Sequence, residues 1–159
     1  MGFLKGRMDD YGSPLVGLPI RLYTGYFFLR YGVGKFTGGF GGTALHDTLT
    51  RWAEGPAYHF YVPFLQRVAL PHASLFAHLV TLGEIAVGTL LLLGCATRLA
   101  ALGGLFLCLN FLLASGTPLL STDQPVTFAL LLLTIYATAA GRAVGLDAFL
   151  KHRLPAWVA

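Results

Sequence analysis

Residues Val68–Thr97 read VALPHASLFAHLVTLGEIAVGTLLLLGCAT, and Glu84 is the only formal charge among them. An apolar run of this length is the mark of a membrane-spanning helix, because about 20 residues rising 1.5 Å each cross the hydrocarbon core. A carboxylate near the centre of such a helix is costly unless it faces a partner or a cavity. Glu84 therefore marks an inward face, and a cation on a neighbouring helix should compensate it.

The rest of the chain agrees with lipid as solvent. Of 159 residues, 55% are hydrophobic and only 11% charged, against about 25% charged in soluble domains; the mean hydropathy is +0.67. The net charge of +4 is spread over connections. No basic stripe with interleaved aromatics exists, which argues against nucleic acid. Cys95 and Cys108 form neither CxxC nor CxxCH, so thioredoxin-type chemistry and c-type haem attachment lack their motifs. They should lie about 15 Å apart along a helix axis, too far for a disulfide, and read as small buried side chains. The histidines lack metal-ligand spacing, and the glycines around Gly38–Gly42 lack the lysine of a phosphate loop. There is thus no haem, flavin or metal motif.

Four spans are expected, at about 14–36, 72–94, 99–117 and 125–140, with Pro71, Pro118 and Pro125 at boundaries. The fold class is an all-α integral membrane protein, a single-domain four-helix transmembrane bundle. The first 13 residues carry Lys5, Arg7, Asp9 and Asp10 ahead of a long apolar segment with arginines, which reads as a retained anchor rather than a cleaved signal. With both termini inside, Lys5, Arg7, Arg98, Arg142, Lys151 and Arg153 lie inside and Lys35, Arg51 and Arg67 outside; this excess of cations places both ends in the cytoplasm. Between spans one and two, Ala44–Gly55 (ALHDTLTRWAEG) sets Leu45, Leu49 and Trp52 at helical spacing, and the aromatic-rich Ala57–Leu70 follows. This amphipathic segment should lie at the headgroup level and cap the bundle.

Helical spacing puts Arg21, Gly25, Phe28, Gly32 and Lys35 on one stripe of span one, with Arg30 about half a turn away. Arg21, on the glycine stripe, is the expected partner of Glu84. Val80, Glu84, Gly88 and Leu91 line up on span two, and Gly103, Leu107, Asn110 and Ala114 on span three. Thr127, Thr134, Thr138 and Gly141 line up on span four. Buried together, these stripes would form one polar seam, serving as helix glue, in proton handling, or in binding a polar head such as a quinone. Ala100 with Gly104 offers a small-residue stripe for a partner subunit.

IRLYTGYFFLRYGVGKF (Ile20–Phe36), with Gly32, Gly34 and Lys35 at its end, is similar to the opening of DoxX-like membrane proteins. Leu79–Gly104, LVTLGEIAVGTLLLLGCATRLAALGG, resembles that family's central signature. GRAVGLDAFL (Gly141–Leu150), and LNFLLASG (Leu109–Gly116) with Asp123 after it, resemble the DoxD branch, the small subunit of thiosulfate:quinone oxidoreductase. The likeness spans about Pro14–Leu150. It implies a subunit of a quinone-linked redox complex in a bacterial or archaeal cell membrane, passing electrons from thiosulfate to quinone beside other subunits. The site residues are then Glu84 and Arg21 at the polar centre, with Lys35, Asn110, Trp52 and Asp123 around the ligand. The alternatives are a non-catalytic assembly subunit and, with less support in the absence of inverted repeats, a small-solute transporter.

Overall fold

The computed structural model describes residues 13–138, 140–142 and 144–150. Lys5, Arg7, Asp9, Asp10, Lys151 and Arg153, which entered the charge reading, lie outside the described residues. Every described element is helical: α1 (Ser13–Thr37), α2 (Gly42–Glu54), α3 (Val62–Phe64, widening into a π-type turn over Leu65–Ala69), α4 (Ala73–Leu93), α5 (Thr97–Ser115), α6 (Gln124–Thr138), a 3-10 turn (Ala140–Arg142) and α7 (Leu146–Leu150). The four long helices fall within a residue or two of the four expected spans. Among the described residues, α4 and α5 are long and apolar enough to cross a membrane. α6 is apolar but only 15 residues long, and α1 carries Arg21, Arg30 and Lys35. Length and composition alone thus support two crossings.

The long helices form a ring of neighbours: α1 against α4, α4 against α5, α5 against α6, and α6 back against α1. The α1–α4 contact is the most extensive, and glycine makes it possible. A Cβ at Gly32 would stand 2.8 Å from the Ile85 backbone nitrogen, and one at Gly88 would strike the Leu29 backbone. Removing these side chains lets the two backbones approach, the usual device where apolar surface burial cannot drive helix association. Phe28, Val87, Leu91, Phe128, Leu132 and Ile135 fill the middle of the ring.

One end of the ring is capped by α2 and α3. Leu45, Leu49, Leu65 and Ala69 form a second apolar cluster with Ala77 and Ala114, as the spacing of Leu45 and Leu49 predicts. At the other end the α4–α5 turn is tight, with Gly94 (φ 63°) and Ala96 (φ 48°) both left-handed. Asp147, fully buried, accepts the backbone N–H of Ala96 (2.7 Å) and Thr97 (2.9 Å). It thereby satisfies the open donors at the start of α5 as a cap does.

Candidate functional site

Glu84 lies halfway along α4 on a buried stripe with Ala77, Thr81, Gly88 and Leu91, the stripe that faces α1. Its partner there is Lys35, in the last turn of α1, whose Nζ donates to Glu84 Oε1 at 2.5 Å. The Glu84 side chain is 5% exposed and that of Lys35 23%. The ammonium also lies 5.2 Å from the Phe111 ring centre and 5.5 Å from that of Phe40, which adds cation–π attraction. Glu84 Oε2 is buried and has no hydrogen-bond partner among the described residues.

The expected Arg21–Glu84 pair does not form. Both residues occupy the predicted faces, but Gly32 is the α1 residue level with Glu84 and Ile85, and Arg21 lies eleven residues, about 16 Å, further along the axis. Arg21 is 2% exposed and instead donates Nη1–H to the Ala140 carbonyl at 2.9 Å, with Asp147 as the charge acting on it. Arg30 is exposed and donates to the Tyr26 hydroxyl at 3.3 Å.

The ion pair borders a cavity of about 310 Å³. Its walls are largely aromatic, with Phe27, Tyr31, Trp52, Phe111 and Phe128 among them, and Cys108, Ser115 and Gln124 also line it. Three of the sequence-derived site residues therefore meet here: Glu84, Lys35 and Trp52. Asn110 does not join them. It lines a separate apolar groove of about 540 Å³ between α4 and α5. There its Oδ1 accepts the Tyr61 hydroxyl proton at 2.5 Å and its Nδ2 donates to the Phe106 carbonyl at 2.7 Å. Burial pushes the Tyr61 phenol above its ordinary pKa, so it remains a donor. Asp123 is exposed in the loop before α6, beside the cavity-lining Gln124 but not itself in the wall.

The single polar seam breaks up in the same way. The hydroxyls of Thr134 and Thr138 donate to their own helix, to the carbonyls of Leu130 and Thr134 at 2.9 and 2.8 Å, and that of Thr127 donates to the Thr122 carbonyl at 3.2 Å. α6 turns Val126, Phe128, Leu132 and Ile135 inward instead. Ala100 and Gly104, expected to offer a partner surface, are buried inside the ring, where a Cβ on Gly104 would sit 3.0 Å from Leu132. Sequence reasoning missed Asp147, Tyr61 and the cavity position of Cys108. Asp147 had a signal: it is the only acid in the apolar stretch Gly141–Leu150.

The chemistry on offer is a half-buried cation, a buried carboxylate oxygen able to take up a proton, and flat aromatic walls, set in an apolar helical frame. These features define a helical protein of membrane type with a polar centre between its first and fourth helices. The DoxX family model matches residues 16–115, and the chain belongs to that family. The matched stretch contains both Lys35 and Glu84. No curated protein and no solved structure matches the chain.

Proposed function

We propose that this protein is a four-span membrane subunit of a quinone-linked redox complex of the DoxD kind, and that the Lys35–Glu84 cavity holds the quinone head. One observation carries the reading: Glu84, whose buried Oε2 has no hydrogen-bond partner among the described residues, borders an aromatic cavity beside a lysine. A buried acceptor left unpaired costs stability, so its retention fits a group kept for a ligand. A volume of about 310 Å³ lies at the small end of ligand pockets and suits one substituted ring.

A bound quinone supplies electron-accepting chemistry, and the electrons come from thiosulfate through a partner subunit. The chain's residues do the rest. Lys35 would hold a ring carbonyl by a hydrogen bond and stabilise negative charge there. Glu84, protonated from water beforehand, would supply one of the two protons that a quinone takes up with two electrons, the second coming from water. Phe111 and Trp52 exclude water and hold the ring by its faces. In this reading all four long helices lie in the bilayer of a bacterial or archaeal cell, α2 and α3 rest on its outer surface, and both termini are cytoplasmic.

The test is thiosulfate-dependent quinone reduction by membranes with and without the protein, and with Glu84→Gln or Lys35→Met in its place. General acid catalysis contributes about 100-fold or more, so Glu84→Gln should lower the rate by about that factor at unchanged protein level. A rate unaffected by Glu84→Gln or by deletion discards the proposal. An assembly subunit without its own ligand would show the same rate in Glu84→Gln but a loss of the complex on deletion.

A further inference from the structure

The α4–α5 groove lies next to the site just described. Trp52 and Phe111 line both the ion-pair cavity and that groove, so the two spaces share these side chains as a common wall. Resting on the quinone reading, we infer that the groove seats the ligand's hydrocarbon tail and selects long-tailed quinones over tail-less ones.

The groove has the chemistry of a tail site. It offers little to a polar group, because Asn110 and Tyr61 satisfy one another and Asn110 also bonds the Phe106 carbonyl. From Phe111 to Leu99, both in its wall, the distance is about 18 Å along α5, long enough for an extended chain and too long for a ring. Its volume of about 540 Å³ is that of an ordinary ligand pocket. Its rim residues Leu79 and Phe106 are 54% and 67% exposed, so the groove opens on the apolar outer face, where a lipid-dissolved chain arrives.

Glycine marks the difference between packing and cavity. Gly32 and Gly88 are required by backbone approach, whereas a Cβ at Gly103 would meet only Val87 Cγ2 at 3.6 Å and one at Gly83 only the Leu107 side chain, at 3.4 and 3.8 Å. These are ordinary contacts. Both positions border the groove, so larger side chains there would occupy the space a tail needs without forcing the helices apart.

Quenching of Trp52 fluorescence provides a binding readout independent of turnover. The other tryptophan, Trp157, is replaced by Phe in all proteins compared. The probes are a dimethoxy-methyl-benzoquinone without a tail and the same ring with a decyl tail, titrated into detergent-purified protein. Gly103→Leu and, independently, Gly83→Val should weaken the decyl probe about tenfold, equivalent to losing the burial of about two methylenes. Both should leave the tail-less probe unchanged, with melting curves establishing that each variant is folded. If the folded variants bind the decyl probe as the parent does, or weaken both probes equally, the tail is not in the groove and the inference falls while the head site stands. If neither probe quenches Trp52 in the parent, the quinone reading itself fails, and the tail site with it.

Discussion

A carboxylate has about four acceptor positions, and Glu84 uses one of its oxygens on Lys35 while the other has no partner among the described residues. Two consequences follow for stability. Lys35→Met leaves the buried acid with no cation, a change that costs about 3 kcal/mol when a buried pair is broken from one side. The double variant Lys35→Met, Glu84→Leu removes both charges and should recover most of the loss. Thermal unfolding in detergent of the two single variants and the double checks this; simple additivity of the single losses would mean that the pair is not coupled. Asp147 carries a different burden. Asp147→Ala strips the acceptors from the Ala96 and Thr97 amides and removes the carboxylate acting on buried Arg21. A lost cap costs about 1 kcal/mol, and the bared arginine adds to it. The expected result is a fall in melting temperature with unchanged quinone affinity, because Asp147 caps the α4–α5 turn whereas Glu84 lies mid-helix.

At the scale of helices, the inward faces of α1 and α4 were legible because each carries polar and glycine residues at three- and four-residue spacing among bulky apolar ones. The face of α5 was not. In a membrane helix the lipid side and the core side are both apolar, so contrast is lost, and α5 offers two small-residue faces. Gly103, Leu107 and Asn110 border the groove while Gly104 and Cys108 pack inside, with buried Ala100 at the edge of both. Register was equally hidden, since periodicity assigns a face but no axial offset. That is why Arg21, on the correct stripe, misses Glu84 and Lys35 reaches it. The glycines supply a test of the packing. Gly88→Ala drives a methyl into the Leu29 backbone and should cost about 1–3 kcal/mol, as overpacking does. Gly103→Ala should be neutral or stabilise by up to about 1 kcal/mol through helix propensity. Equal effects of the two substitutions on the melting temperature would contradict the close α1–α4 contact.

For the molecule as a whole, the sequence shows a cap at one end through the amphipathic spacing of Leu45, Leu49 and Trp52, and the structure builds α2 and α3 there. It does not show the closure of the opposite end, which joins Arg21 to Ala140 and the α5 start to Asp147 across long stretches of chain. Such contacts leave no local periodicity. The two ends nevertheless make an orientation testable. His59 lies in the cap and Ser121 in the α5–α6 loop at the same end, while Val144 is 56% exposed between the 3-10 turn and α7 at the other. If the ring crosses the bilayer four times with the cation-rich end inside, His59→Cys and Ser121→Cys should react with a membrane-impermeant maleimide on intact cells. Val144→Cys should react only after the membrane is opened. The native thiols are free, so Cys95→Ser and Cys108→Ala provide the background. Only an odd number of crossings between Ser121 and Val144 gives opposite labelling of those two, so the result also decides whether the 15-residue α6 spans. A helix of that length rises about 22 Å, short of a 30 Å core, and crosses only if the bilayer thins around it. Labelling of Ser121 and Val144 from the same side would remove α6 from the crossings and would take it and the Phe128 wall of the ion-pair cavity out of the membrane.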